Sequence, residues 1–262
     1  MRVMALDTTV RGGSVALVAL ARGRCIVDER PGDSSRSHAE RLPGEIAAVI
    51  DAHGLVWADI DLFAVAAGPG SFTGLRIGIS TIQGLALTVG RPLVAVSALE
   101  ALAQCASERA GAGRSVAAWM DAHRGEVFAA LYRVMPAPIF DPERIVEVEG
   151  PTVGHPLAVI ERVADHLPHG PAVFVGDGAV LYAASIERRW PSQAGPLPQP
   201  LLAGAIGRMA LARATRGDTI HPSSVRPLYV RRPDAELDRE RKAIDTKDTK
   251  GTKGWKPGPS NV

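Results

Sequence analysis

The sequence predicts an α/β fold assembled from two similar halves. In the first half, apolar segments with strand and helix spacing alternate in the order three strands, helix, strand, helix, strand, helix. In the second half, Asp121 ends an apolar segment and precedes an Arg-Gly turn and another apolar segment, as Asp7 does near the start. With 262 residues, 46% of them hydrophobic, the chain can bury a sizeable core in one large domain or two lobes.

Local signals position the elements of the first half. Gly-containing turns at 11–13 and around 23 separate three strands, and Ser37 with Glu40 forms a capping box that opens the first helix. Pro43 lies inside that helix and favours a start displaced toward it. A second capping box, Ser97 with Glu100, opens another helix. The predicted strands are 2–7, 13–20, 24–30, 60–67 and 92–96, and a long helix occupies 71–90.

The second half repeats this plan less clearly. Strands are predicted in 115–134 and over 172–175, and helices over 157–166, 179–189 and 201–213. We therefore expect an N-terminal lobe at 1–110, a C-terminal lobe at 111–232 and a tail at 233–262. The tail repeats Asp-Thr-Lys and Gly-Thr-Lys with little to bury, which predicts disorder.

Composition narrows the function classes. The net charge of +2 is too small to indicate nucleic-acid binding, and the two cysteines, Cys25 and Cys105, provide no disulfide framework. The first residues lack the features of a secretory signal, and no apolar stretch reaches the roughly 20 residues that cross a bilayer. These observations predict a cytoplasmic protein without a membrane contact.

The most informative segment is 68–78, read as GPGSFTGLRIG, which joins a buried strand to a helix. The backbone N–H groups of such a turn can hold a phosphate at the positive end of the helix. Alternatively, its glycines can let the helix lie close against another helix. The residues alone leave both interpretations open.

This segment resembles the signature of the TsaB family, in the glycoprotease-like (Gcp/M22-like) branch of the sugar kinase, heat-shock protein and actin superfamily. Further matches are MALDTT at the start, SHAERL at 37–42, DAHRGEVFAALY at 121–132 and RPLYVRRPDAEL at 226–237. The resemblance covers roughly the first nine-tenths of the sequence. It implies a duplicated, two-lobed actin-like ATPase fold of the RNase H-like type.

The resemblance also implies a function. Members of this family are noncatalytic subunits that pair with TsaD and activate it in N6-threonylcarbamoylation of adenosine 37 in tRNAs reading ANN codons. The implied partners are TsaD, a TsaE-type ATPase in the assembled complex, tRNA indirectly through that complex, and a second copy in a homodimer.

The reaction centres of the superfamily are incomplete in this sequence. ATP-using members carry a glycine after the first aspartate, whereas this chain reads Asp7-Thr8-Thr9, and non-glycine residues restrict close backbone approach to phosphates. The metal-binding histidine pair of TsaD is missing, since His38 is followed by Leu42 at the partner position. We therefore expect no catalytic residue, no metal site and no required cofactor. A vestigial site for weak ATP or ADP binding is predicted at Asp7, Thr8, Thr9, Gly176, Asp177 and Gly178.

Two early helices offer a surface for association instead. Their predicted contacts with a partner are Leu42, Ile46, Val49, Gly74, Gly78, Ile82 and Leu85, with Arg76 forming polar interactions at the edge. Burial of both helix stripes inside the monomer explains the same periodicity. The alternative function is an autonomous enzyme, either an ATP-dependent small-molecule kinase using Asp7 and Asp177 or a metallopeptidase-like protein. Direct tRNA binding is a third interpretation.

Overall fold

Two β-sheets, each with helices packed on it, make up the fold. The computed structural model describes residues 1–167, 172–191 and 194–231, and Met1–Val230 form a single compact unit. The predicted tail at 233–262 lies outside the described residues. The predicted lobe boundaries at 110 and 232 stay predictions.

The first sheet has five strands in the order β3-β2-β1-β4-β5. Its strands are β1 (Arg2–Asp7), β2 (Ser14–Ala21), β3 (Arg24–Pro31), β4 (Leu62–Gly68) and β5 (Leu93–Ser97). β1, β2 and β3 form the predicted antiparallel meander, while β1, β4 and β5 run parallel to one another. Alternate residues of β1 face opposite sides, so both faces of this sheet need a covering layer.

Three helices follow the predicted order: α1 (His38–Ala52), α2 (Phe72–Val89) and α3 (Ala98–Ala110). The Glu40 carboxylate accepts hydrogen bonds from the N–H and hydroxyl of Ser37 at 2.9 and 2.7 Å, so the capping box fixes the start of α1. The displacement that we expected from Pro43 is wrong, because α1 begins at His38 and retains Pro43 in its interior. α2 ends at Gly90 in the left-handed conformation, φ 70°.

The second sheet has the order β8-β7-β6-β9 and repeats the first four strands of the first sheet. Its strands are β6 (Ser115–Asp121), β7 (Val127–Val134), β8 (Ile145–Gly154) and β9 (Val173–Val175). β6, β7 and β8 form an antiparallel meander, and β9 is parallel to β6, which confirms the predicted internal repeat. The exposed strand β8 was not predicted.

The remaining helices are α4 (Pro156–Asp165), α5 (Asp177–Leu181), α6 (Ala183–Arg189) and α7 (Ala203–Thr215). The helix predicted over 179–189 is interrupted at Tyr182, which separates α5 from α6. α3 packs against β6 and β7 while α7 packs against β1 and β2, and both belong to the apolar core between the sheets. α1 and α2 cover the side of the first sheet that faces away from the second sheet. α4 and α6 lie on the corresponding side of the second sheet.

Candidate functional site

The turn after β1 contains the first predicted nucleotide-binding residues. Asp7 is 2% exposed, and its Oδ1 accepts hydrogen bonds from the backbone N–H and the hydroxyl of Thr9 at 2.9 and 2.6 Å. Burial raises the pKa of Asp7 above 3.8, and the negative charges of Glu29 and Asp177 raise it further. Oδ1 of Asp7 is therefore engaged by Thr9 within the turn itself.

The Gly-Pro-Gly turn before α2 packs against the chain's own backbone. A Cβ on Gly70 would lie 2.6 Å from the Thr9 Cβ, and one on Gly68 would lie 2.8 Å from the Leu228 carbonyl oxygen. The Ser71 N–H donates to the Thr9 carbonyl at 2.8 Å, and the Ser71 hydroxyl caps the helix by accepting from the N–H of Gly74. These glycines are therefore required for close packing within the protein, and the N–H groups of Ser71 and Gly74 are already used by internal acceptors.

Gly74 and Gly78 also face the protein's own chain. A Cβ on Gly74 would come inside 3.0 Å of the Thr8 carbonyl oxygen, and one on Gly78 inside 3.0 Å of the Thr8 hydroxyl. Thr8 is fully buried. The prediction that this glycine stripe receives a partner helix is wrong, because the stripe lets α2 cross directly over the turn after β1.

Four of the apolar residues assigned to the partner surface are core residues. Leu42, Ile46, Val49 and Ile82 are 0–1% exposed and pack with the first sheet, and half-buried Leu85 packs against the same cluster. A side chain without exposed surface adds no contact area to a partner, so this part of the prediction is wrong for the four buried residues. Among the residues predicted to contact a partner, Arg76 is the one that the structure leaves exposed to solvent.

The solvent side of α1 and α2 carries a different set of residues, which we call the outer face. It consists of Ala39, Pro43, Gly44 and Ala48 from α1, and of Thr73, Arg76, Ser80, Gly84 and Leu87 from α2. A Cβ on Gly44 or Gly84 would meet nothing within 4 Å. Small residues at three- and four-residue spacing leave these helices accessible to close approach from outside.

The composition of α2 is unusual for an exposed helix. Its 18 residues include a single charge, Arg76, and have a mean hydropathy of 1.2, yet only 33% of them are buried. By length and composition alone α2 could cross a bilayer, the one such helix in the described ranges. Its buried side, with Leu75, Ile79 and Ile82, belongs to the core beside the first sheet. Packing within the monomer therefore does not account for the near absence of charge on the solvent side of α2.

The SHAERL segment holds α1 against the turn after β1. The Arg41 side chain, 2% exposed, donates to the Gly12 and Arg11 carbonyls, to His38 Nδ1 and to the Glu45 carboxylate. Burial, followed by the charge of Arg41, lowers the pKa of His38. Because Nδ1 of His38 accepts from Arg41, that nitrogen is engaged in an internal contact.

The second predicted nucleotide-binding segment closes on β6. Asp177 Oδ1 accepts from the N–H groups of Asp121 and Gly178 at 2.9 and 2.7 Å. A Cβ on Gly176 would come inside 3.0 Å of the Trp119 carbonyl oxygen, so this glycine also serves close internal packing. The negative charge of Asp177 also contributes to the raised pKa of Asp7, after burial and the charge of Glu29. In the described part of the chain, no three His, Cys, Asp or Glu side chains are placed to hold a metal ion.

Comparisons with known proteins identify relatives of this chain. Residues 29–153 match the family model of TsaD, tRNA N6-adenosine threonylcarbamoyltransferase. The tRNA threonylcarbamoyladenosine biosynthesis protein TsaB of Haemophilus influenzae is 31% identical over 239 residues, which cover 88% of this chain and 94% of that protein. TsaB of Escherichia coli is 37% identical over 155 residues, covering 59% of this chain and 65% of that protein.

Two solved structures share this fold. The Pseudomonas aeruginosa protein described as uncharacterized with similarity to peptidase YEAZ aligns with a TM-score of 0.69 and 30% identity, covering 88% of this chain and 99% of that one. YeaZ from the same organism aligns with a TM-score of 0.66 and 29% identity. The duplicated sheet order and these alignments confirm the predicted two-lobed actin-like, RNase H-like fold. The chain belongs to the TsaB family.

Proposed function

We propose that this protein takes part in tRNA threonylcarbamoyladenosine biosynthesis as a noncatalytic subunit that binds TsaD and activates it. The modified position would be N6 of adenosine 37 in tRNAs reading ANN codons. Membership of the TsaB family supports the pathway, because family members are named for it. The match of residues 29–153 to the TsaD family model supports the partner, since two related lobes can pair about a pseudo-twofold axis.

The outer face of α1 and α2 is the observation that carries this proposal. It combines small side chains, two glycines open to solvent at Gly44 and Gly84, and a helix with a single charge. Interfaces are depleted of charge at their centre, and small residues allow helices to approach closely. We propose that TsaD packs its own N-terminal helices against this face.

The site between the lobes supports a role without chemistry in this subunit. The Gly-Pro-Gly turn is filled by Thr9 and Leu228, and burial disfavours the ionised form of Asp7. No specific observation favours the autonomous-enzyme alternative. We retain weak ATP or ADP binding at the Asp7 and Asp177 segments as a proposal, with no cofactor required.

Further partners follow from the same proposal. A TsaE-type ATPase would join the assembled complex, tRNA would be contacted through that complex, and a homodimer could use the outer face when TsaD is absent. Because tRNA is the substrate of the complex, we propose action in the cytoplasm.

A binding experiment tests the partner and the surface together. Gly84→Gln adds bulk to the outer face where a Cβ meets open space, so the monomer should stay folded. We expect it to weaken the affinity for the cognate TsaD at least ~10-fold, or about 1.4 kcal/mol. Ala184→Gln, on the exposed side of α6, is the matched control and should leave the affinity unchanged. Failure of the wild-type chain to bind TsaD, or equal binding by Gly84→Gln, would count against the proposal.

A further inference from the structure

The segment 219–230 lies along α2 from one end to the other. At the C-terminal end of α2, Ile220 pairs with Leu93 by backbone hydrogen bonds of 2.8 and 3.0 Å. Midway, the Gln83 amide donates to the Pro222 carbonyl at 2.8 Å. At the N-terminal end, the Leu228 N–H donates to the Ala67 carbonyl at 2.7 Å. This segment therefore places Tyr229 beside the first turn of α2.

Tyr229 and α2 together hold Arg76 in one orientation. The Arg76 guanidinium lies 4.0 Å from the centre of the Phe72 ring, and its Nε donates to the Tyr229 hydroxyl at 3.0 Å. The rings of Phe72 and Tyr229 are themselves 5.0 Å apart. An aromatic face and a hydroxyl restrict the orientation of this guanidinium, which lowers the conformational entropy that binding would otherwise cost.

Only the Nε atom of this guanidinium makes a hydrogen bond to the residues that the structure describes. Within the described residues Arg76 has no carboxylate partner, although it is the single charge of α2. Tyr229 remains 39% exposed beside it. Arginine and aromatic residues dominate the energetic centres of protein interfaces, where a planar guanidinium recognises a carboxylate through two parallel hydrogen bonds.

We propose that Arg76, Phe72 and Tyr229 form the anchor of the outer face, and that the anchor binds a carboxylate side chain of the TsaD subunit. The inference rests on the proposed function and deepens it, because it names the chemistry that the partner must present. It also assigns a binding role to Tyr229, which belongs to the C-terminal segment and not to the two helices.

The charge of the surroundings favours a protein over RNA as the occupant. The exposed charges of α1 are the acidic residues Glu40 and Asp51, and α2 adds only Arg76. The segment 219–230 adds exposed Arg226, whose guanidinium donates to the carbonyls of Ser223 and Val225. A groove that tracks a nucleic-acid backbone requires several cations along its length. A mostly neutral face with one prepared guanidinium suits a protein surface carrying a single matching acid.

The experiment compares affinities for the cognate TsaD at low and moderate salt, using the full-length chain. We expect Arg76→Glu to weaken binding about 30-fold or more, since it replaces an attraction by a repulsion. Arg76→Lys should weaken it about fivefold, because lysine loses the planar bidentate geometry. Tyr229→Phe keeps the ring but loses the hydroxyl that fixes Arg76, so a loss of about threefold is expected.

The control is Arg188→Glu, the same charge reversal at an exposed position of α6. It should change the affinity less than about twofold, and all four variants should unfold at the same urea concentration as the wild type, as surface substitutions do. The affinities of the wild type and of Arg76→Lys should both fall as the salt concentration rises. The affinity of Arg76→Glu should not fall, because this variant lacks the positive charge.

Three results would overturn the inference, each in a distinguishable way. If wild type does not bind TsaD, the proposed function fails and the anchor fails with it. If wild type binds and Arg76→Glu binds equally well, the anchor alone is wrong. If Arg76→Glu keeps its affinity for TsaD but the assembled complex retains less tRNA in a gel-shift assay, the cluster contacts RNA instead.

Discussion

Two glycines of α2, Gly78 and Gly84, provide a matched pair for testing how α2 packs on the turn after β1. A Cβ on Gly78 would come inside 3.0 Å of the Thr8 hydroxyl and within 3.0 and 3.1 Å of the Thr8 Cγ2 and Cβ. Thr8 is 0% exposed, so it has little room to move. A Cβ on Gly84 would meet nothing within 4 Å. The same substitution, glycine to alanine, therefore meets opposite surroundings in the same helix.

The magnitudes follow from two effects. Alanine is favoured over glycine inside a helix by about 0.8–1.0 kcal/mol, and this gain is common to both variants. Overpacking against a buried side chain costs about 1–3 kcal/mol and applies to Gly78→Ala alone. We expect Gly84→Ala to raise the free energy of unfolding by up to ~1 kcal/mol, and Gly78→Ala to fall below Gly84→Ala by about 1–3 kcal/mol.

Urea unfolding followed by circular dichroism and by tryptophan fluorescence measures both values under identical conditions. Thr8→Ala combined with Gly78→Ala removes the atoms in the way, and should recover most of the loss in a double-mutant cycle. Equal stability of Gly78→Ala and Gly84→Ala would refute the packing account. It would also return Gly78 to the set of partner-facing residues.

The remaining predictions concern the polar residues around the same turn and the two thiols. Asp7→Asn should raise the melting temperature at pH 7, because burial raises the pKa of Asp7 and its ionised form opposes folding. This gain in melting temperature should disappear as the pH falls toward 3.8. An unchanged or lower melting temperature at pH 7 would contradict this explanation. Arg41→Met should cost about 3 kcal/mol in urea unfolding, since it strips partners from buried groups, and a loss below ~1 kcal/mol would show that the contacts of Arg41 are dispensable. Iodoacetamide at pH 8 should label exposed Cys25 and spare Cys105, because burial raises the pKa of that thiol to about 12; peptide mass spectrometry detects each site, and rapid labelling of Cys105 would indicate an open core.

Much of the fold was predictable because its signals are local. The N-caps Ser37 and Ser97 depend on residues three positions apart, and α1 and α3 begin where those caps place them. At Ser97 the hydroxyl accepts from the Glu100 N–H, but the Glu100 carboxylate binds Arg213, so the predicted box is only half formed. The repeat around Asp7 and Asp121 depends on a carboxylate, a glycine turn and alternating apolar residues, and both hairpins form. The interruption at Tyr182 and the exposed strand β8 have no comparably strong local signal.

The orientation of the helices could not be read in the same way. α2 has apolar or small residues on two sides, so periodicity alone does not tell which side meets the sheet. The turn after β1 determines which side of α2 meets the sheet, because only glycine at positions 74 and 78 lets α2 pass so close to Thr8. This contact joins residues about 70 positions apart in the sequence. Gly84 is the one signal in the sequence that could have indicated the outer face. Its significance depends on its open surroundings, which only the structure shows.

We propose that this protein supports the activity of TsaD through the outer face of α1 and α2 and performs no transfer itself. The most direct measurement is the threonylcarbamoyladenosine content of tRNA, by mass spectrometry, after incubation with threonylcarbamoyl-adenylate, TsaD and a TsaE-type ATPase. We expect efficient modification with the wild-type chain, a strong reduction with Gly84→Gln or without the chain, and none with the chain alone. Full modification by TsaD and the ATPase without this protein, or modification by this protein alone, would contradict it.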